Sequence, residues 1–152
     1  MKKGYGLIWN ILHTGNDSKM IFARIITGLI FISEGIQKFM IVSMLGPAYF
    51  KELGFGHPEF WSKFTGSFEI TFGLLICIGF LTRVASIPLL IILTAAFFKA
   101  NLPVLLDRGF ITFAHEFRVD FALVMLLIMM VIHGGGKWSV DLKISEKKLE
   151  TH

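Results

Sequence analysis

Four long apolar segments, each interrupted by a few polar residues, follow one another along the chain. They cover residues 21–42, 64–81, 84–102 and 117–133. Polar and apolar residues do not alternate within them, and the apolar runs are longer than strands, so the pattern predicts helices rather than a barrel. A helix needs roughly 20 residues to cross ~30 Å of hydrocarbon. Four such segments joined by short links predict an all-α integral membrane protein, folded as a four-helix bundle.

The segment before the first long helix is predicted to be a short helix lying on the membrane surface. Its apolar residues recur at the spacing of one helix face, at Tyr5, Ile8, Trp9 and Leu12. The apolar stretch is short and no small-residue cleavage site follows it, so we do not expect a signal peptide. We expect Asp17 or Ser18 to cap the first long helix.

The composition agrees with a small membrane domain. Of the 152 residues, 54% are hydrophobic and 17% are charged, which is more apolar than ordinary soluble domains. We predict one domain over residues 1–152. Residues 1–19 form its interfacial or cytoplasmic segment, residues 20–136 its four transmembrane helices, and residues 137–152 a cytoplasmic tail. Within that tail, the charged stretch "KISEKKLETH", residues 143–152, is expected to be solvated. This leaves little room for a soluble catalytic domain.

The distribution of basic residues predicts the orientation. With four spans, both termini lie on one side of the membrane. That side carries nine Lys and Arg residues and four acids, whereas the other side carries six Lys and Arg residues and seven acids. Positive charge marks the cytoplasmic face, so we expect both termini inside a bacterial cytoplasmic membrane. The same bias explains the pI of about 9.3, and no nucleic-acid partner is expected.

Charged residues inside the segments gather at one level of the predicted bundle, which we call the outer polar layer. It contains Glu34, Lys38, Glu69, Lys99, Asn101, His115, Glu116, Arg118 and Asp120. Ionisable groups in a membrane cost at least ~2.5 kcal/mol each, so they usually pair, line a cavity or carry function. Plainer explanations exist for some of them. Lys99 is long enough to reach the headgroups, and Glu116 and Asp120 are predicted to lie where the fourth helix begins, near its positive dipole end.

Glycines predict where the first two long helices meet. Gly66 and Gly73 flank Glu69 on one helix face, and Gly28 and Gly35 repeat the same seven-residue spacing on the first helix. Small residues let helices approach closely in lipid. We therefore expect Glu69 to point into the bundle, where Lys38 is a possible ion-pair partner. Glu34 could instead pair with Lys38, because it precedes Lys38 by four residues, a spacing that brings two side chains together on one helix face.

Three stretches of the chain together resemble the DoxX family of small four-helix membrane proteins. They are "ARIITGLIFISEGIQKF", "GSFEITFGLLICIGFLTRVASIPLLIILTAA" and "GGGKWSVD", and the resemblance extends over residues 23–141. The matching positions are Arg24, Gly28, Gly35, Lys38, Glu69, Gly73, Gly79, Thr82, Arg83, Gly136, Trp138, Ser139 and Asp141. The resemblance implies a membrane subunit of quinol- or thiol-linked redox complexes, with Arg24, Lys38, Glu69 and Arg83 important.

The first functional hypothesis is a quinone- or quinol-linked subunit of a membrane oxidoreductase. Glu69, Lys38 and Glu34 would exchange protons and hold the headgroup. The surrounding contacts would come from Phe31, Phe68, Phe72, Lys99, Glu116 and Asp120. The electron donor would lie in other membrane or peripheral redox subunits, and self-association is left open. No haem or metal is expected, because no histidine lies mid-span and the His57 and His115 spacing matches no ligand motif.

Two alternatives remain. The chain could be a structural or assembly subunit in which buried charges set the helix register. It could also be a small proton-coupled carrier, although Pro88 is a single helix break and the polar groups are off-centre. The aromatic connection at residues 43–63 could cover the polar layer or anchor at the interface, and its Trp and Tyr content favours the anchor. The single Cys77 can form no internal disulfide.

Overall fold

The computed structural model describes Thr14 and residues 17–150, and all regular secondary structure in that part of the chain is helical. The predicted surface helix, from Tyr5 to Leu12, lies outside the described residues. The helices are α1 (Lys19–Met40), α2 (Pro47–Glu52), α3 (Pro58–Ile78), α4 (Thr82–Ala96), α5 (Leu102–Arg108), α6 (Phe110–His133) and α7 (Val140–Glu150). A π-helical turn, Phe97–Asn101, joins α4 to α5.

Two long helices begin well before the apolar segments that predicted them, whereas the other two begin only two residues early. α3 begins at Pro58, with the proline in its first turn, and α6 begins at Phe110. Glu116 and Asp120 therefore lie in the interior of α6, and their predicted place at its positive dipole end was wrong. The physical reason is that hydropathy marks only the apolar part of a helix, whereas backbone hydrogen bonding continues through its polar ends.

The cap of α1 comes from Asp17. Its carboxylate oxygen accepts the backbone N–H of Lys19 at 2.9 Å, whereas Ser18 makes no side-chain cap bond. Of the two capping residues that the sequence offered, the structure thus selects Asp17. An acid at this position also faces the positive end of the helix dipole, which adds to the stability of the first turn.

Among the described residues, two helices are long and apolar enough to cross a membrane by length and composition. They are Lys19–Met40 and the continuous helical run Thr82–Arg108. The other two long helices, α3 and α6, carry more polar positions. α1 and α3 pack against each other, α4 packs against α3 and α6, and α1 also contacts α6. Their shared apolar core is centred on Phe31, Ile76, Leu89, Leu127 and Met130.

Glycines bring the backbones of α1 and α3 into direct contact. A Cβ atom on Gly35 would lie 2.6 Å from the carbonyl oxygen of Gly66, and one on Gly73 would lie 2.9 Å from that of Gly28. Any side chain at these positions would push the helices apart. The predicted contact face, with Gly28 and Gly35 on one helix and Gly66 and Gly73 on the other, is confirmed.

The two ends of the long helices differ in their chemistry. We call the end that carries Lys38 and the connection to α3 the cavity end, and the end that carries Arg24 and α7 the tail end. At the tail end Asp141 is only 1% exposed. Its carboxylate accepts the N–H of Leu81 at 2.7 Å and both the N–H and the hydroxyl of Thr82 at 2.9 Å. Asp141 thereby caps α4 from a distant part of the chain.

Arg24 is the basic counterpart of Asp141 inside the protein. It is 2% exposed, and its Nη2 donates to the carbonyl oxygens of Lys137 and Trp138 at 3.4 and 3.5 Å. Its Nε and Nη1 have no hydrogen-bond partner among the described residues, and the negative charge of the buried Asp141 acts on its guanidinium group. The start of α7 therefore packs into the protein. Ser145 belongs to the predicted solvated tail but is buried, so that prediction was wrong for this residue.

Candidate functional site

A cavity of about 440 Å³ lies at the cavity end, between the four long helices and the connection from α1 to α3. α1 contributes Phe31, Glu34 and Lys38 to its walls, and α3 contributes Phe64, Thr65 and Glu69. The α4 helix and the π-helical turn contribute Ile91, Ile92, Leu93, Ala95, Ala96 and Lys99, and α6 contributes Val119, Asp120 and Leu123. A mostly apolar cavity with a few convergent polar groups is the usual form of a small-molecule site.

A buried ion pair lies in the wall of this cavity. The Lys38 ammonium donates to the Glu69 carboxylate at 2.7 Å, and Glu69 is 4% exposed. The glycine contacts explain the geometry, because Gly35 lies one turn before Lys38 on α1, and Gly66 lies one turn before Glu69 on α3. Close backbones therefore hold the two side chains within reach. The structure selects Glu69 rather than Glu34 as the partner of Lys38.

A second polar contact crosses from the π-helical turn to α6. The Asn101 amide donates to the Asp120 carboxylate at 2.9 Å, and Asn101 is buried. The same turn carries Lys99, whose ammonium lies 5.3 Å above the ring centre of Phe55. π-Helical turns are rare and often occur at functional sites, because they shift side chains out of the ordinary helical register. Lys99 lines the cavity, although its side chain is also partly exposed at the surface of the protein.

An aromatic cover closes the cavity, and we define it as Tyr49, Phe50, Leu53, Phe55 and Trp61. All five side chains line the cavity. The Phe50 and Phe55 rings are 5.3 Å apart and the Phe55 and Trp61 rings 5.7 Å apart, distances typical of favourable aromatic pairs. Phe50 is buried. These contacts are those expected of a cover, and the interfacial anchor that the aromatic composition favoured stays a prediction.

The hydroxyl group of Tyr49, in the aromatic cover, is influenced by the charges of several acidic side chains. Burial, followed by the negative charges of Asp120, Glu116 and Glu34, raises the pKa of the Tyr49 phenol. The phenol therefore keeps its proton to a higher pH than a free tyrosine does, and it is available as a hydrogen-bond donor toward the cavity. Tyr49 was missed in the sequence, where the only local signal was Pro47, which begins the short helix α2.

Three of the predicted contact residues do not line the cavity. Phe68 and Phe72 continue a row of rings that Phe64 begins on α3. The centres of the Phe64 and Phe68 rings are 4.3 Å apart, and those of the Phe68 and Phe72 rings 5.2 Å apart. Of these three rings, only that of Phe64 lines the cavity. Glu116 lies 3.5 Å from Arg108 in an exposed ion pair. The structure brings the other six predicted residues together, namely Glu69, Lys38, Glu34, Phe31, Lys99 and Asp120.

The donor set suits an organic ligand. Across the part of the chain that the structure describes, no three His, Cys, Asp or Glu side chains gather as metal ligands would. The cavity instead offers an ammonium group, carboxylates, a phenol and aromatic faces. These groups can hydrogen-bond the polar end of an amphiphilic molecule while the apolar walls hold the rest of it.

Comparison with known proteins places the chain among membrane proteins. The DoxX family model matches residues 20–102. A membrane protein of Mycobacterium tuberculosis (strain ATCC 25618 / H37Rv), itself uncharacterized, is 37% identical over 143 residues, which cover 90% of this chain and 88% of that protein. No solved structure matches the chain.

Proposed function

The chain belongs to the DoxX family of membrane proteins, and from this we propose that it is a small subunit of a membrane oxidoreductase complex whose cavity binds a quinone or quinol. The observation that carries the proposal is the buried Lys38–Glu69 pair, 2.7 Å across, in the wall of an otherwise largely apolar cavity. A lipid-soluble molecule with a polar ring needs both environments side by side. The electron donor would be a partner subunit.

The proposed topology places the cavity in the outer half of a bacterial cytoplasmic membrane. The four long helices would cross as a bundle, with both termini in the cytoplasm. Two of them are long and apolar enough to span, and α3 and α6 pack against these two. The excess of basic residues at the tail end supports a cytoplasmic location for that end.

Cysteine labelling tests this orientation. In a Cys77→Ala background, Glu52→Cys is expected to react with a membrane-impermeant maleimide added to intact spheroplasts, because residue 52 is exposed at the cavity end. Lys143→Cys, exposed on α7, is the matched control and is expected to react only after the membrane is permeabilised. The reverse pattern would show that the cavity faces the cytoplasm.

Protein groups would contribute binding and proton exchange at the headgroup. A bound quinone would supply the acceptor for electrons and protons. The Lys38 ammonium would donate a hydrogen bond to a ring oxygen and stabilise negative charge there. Glu69 would take up a proton as the carboxylate and give one up as the carboxylic acid. Tyr49 offers a second donor from the aromatic cover, and the cover would exclude water from the ring.

Quinone retention tests the proposed function. After purification in mild detergent, wild type is expected to retain quinone, and Glu69→Gln to retain it about tenfold less. The change removes one charged partner from a hydrogen-bonded set, which is worth about 1.5–3 kcal/mol. Glu59→Gln is the matched control, because Glu59 is exposed on the same helix and does not line the cavity.

The alternative is a structural or assembly subunit without its own chemistry. The buried Arg24 and Asp141 at the tail end favour it, because they join α1, α4 and α7 without a ligand. Absence of quinone from wild type, together with a stable complex of partner subunits, would contradict the redox proposal and support this one. A proton-coupled carrier ranks third.

A further inference from the structure

The charged groups around the cavity leave two carboxylates without a cation. Lys38 is engaged by Glu69 at 2.7 Å. Asp120 accepts a hydrogen bond from the neutral Asn101 amide at 2.9 Å. Glu34 lines the cavity and makes no hydrogen bond or ion pair with residues that the structure describes. Three acids and two lysines line the walls in total, so the site carries an excess of negative charge.

Aromatic rings surround the same space. Six of them line it, from Phe31, Tyr49, Phe50, Phe55, Trp61 and Phe64. The face of an aromatic ring carries partial negative charge and attracts cations, and such cages recognise quaternary ammonium groups in other proteins. One cation of the protein already uses this property, because the Lys99 ammonium lies 5.3 Å from the centre of the Phe55 ring.

The electrostatics at the cover agree with this arrangement. The groups acting on the Tyr49 phenol, after its burial, are the carboxylates of Asp120, Glu116, Glu34 and Glu52, and all of them raise its pKa. The cover therefore faces a region of negative potential. Neutral and anionic ligands gain nothing from that potential, whereas a cation does.

We propose that the cavity binds lipophilic organic cations. Glu34 and Asp120 would neutralise the charge, and the rings of the aromatic cover would hold the apolar substituents. Lys99 occupies the aromatic face that such a ligand needs. It is exposed and flexible, so its ammonium can move to the membrane surface when the ligand enters. This ligand class goes beyond the proposed quinone and would compete with it for the same space.

Two ions of the same shape and opposite charge test the proposal. Equilibrium dialysis of the full-length protein in detergent would compare tetraphenylphosphonium with tetraphenylborate, after subtracting uptake by protein-free micelles. We expect the cation to bind at least about tenfold more tightly than the anion, because only its charge complements the walls. Equal binding of the two ions, or preference for the anion, would overturn the proposal.

Single substitutions identify the residues involved. Glu34→Gln and Asp120→Asn are each expected to weaken tetraphenylphosphonium binding about fivefold to tenfold. Lys99→Met is expected to strengthen it, because a competing cation is removed. Lys63→Met is the control, since Lys63 is exposed on α3 and does not line the cavity. Weaker binding in Lys99→Met would overturn the displacement of Lys99, and unchanged binding in both acid variants would overturn the site.

The test of cation binding can succeed or fail independently of the test of quinone binding. The comparison of the two ions uses wild type alone, so it decides the matter even where an acid variant does not fold. Loss of quinone retention in Glu69→Gln does not bear on it, and tetraphenylphosphonium binding without any retained quinone would leave the cation site as the function of the cavity. Where both ligands bind, added tetraphenylphosphonium is expected to release quinone.

Discussion

Replacing Asp141 with alanine is expected to destabilise the protein by about 3–5 kcal/mol, because the change removes a buried carboxylate that accepts three hydrogen bonds, and hydrogen bonds to charged groups contribute about 1.5–3 kcal/mol each. The carboxylate is 1% exposed and accepts three hydrogen bonds, all from Leu81 and Thr82. Its loss leaves the start of α4 without its cap and removes a negative charge that acts on the buried Arg24. For a chain of this size the apparent Tm should fall by about 10 °C.

Thermal denaturation in detergent, followed by size-exclusion chromatography, measures this effect. The apparent Tm of Asp141→Asn is expected to lie between those of wild type and Asp141→Ala, because the amide oxygen can still accept a hydrogen bond although the negative charge is gone. Glu146→Ala is the matched control, since Glu146 is exposed on the same helix. An Asp141→Ala protein as stable as Glu146→Ala would show that the start of α7 does not hold the tail end together.

The second large effect is expected at the contact of α1 with α3. In Gly35→Val the new Cβ would lie 2.6 Å from the Gly66 carbonyl oxygen and 3.0 Å from the Ile70 backbone nitrogen. Backbone atoms cannot move aside as a side-chain end can, so the helices must separate, at a cost of about 1–3 kcal/mol or more. The gain in helix propensity on replacing glycine, at most about 1 kcal/mol, is too small to offset it.

Separation of these helices should also affect the cavity. Lys38 lies on α1 and Glu69 on α3, so we expect Gly35→Val to lower both the apparent Tm and quinone retention. Gly56→Val is the control, because a Cβ at Gly56 meets nothing within 4 Å, and we expect it to behave like wild type in both measurements. A Gly35→Val protein with normal stability would mean that α1 and α3 do not pack through their glycines.

Patterns within single helices predicted several features correctly. The recurrence of glycines at Gly28 and Gly35, and at Gly66 and Gly73, predicted the face on which α1 and α3 meet. It also directed Glu69 inward, where it pairs with Lys38. These predictions succeeded because a helix repeats every 3.6 residues, so spacing along the chain specifies which side chains share a face. Five of the nine residues in the predicted outer polar layer line the cavity.

Other features depend on contacts between distant parts of the chain. Asp141 bonds to Leu81 and Thr82 across about sixty positions of sequence, and no local pattern connects them. Phe68 and Phe72 lie on the same helix as Glu69, yet neither of them lines the cavity. The fold of the aromatic cover was equally invisible, because Pro, Gly and aromatic residues suit a membrane anchor as well as a cover.

By itself, the sequence determined the helical, membrane-protein class and the glycine face between α1 and α3, because apolar segment length and helical periodicity are local properties of the chain. The tertiary structure alone decided which acid pairs with Lys38, which rings enclose the cavity, and how Asp141 enters the protein to cap α4. These outcomes depend on distances between helices, and the energy of a buried charge changes steeply with the position of its partner.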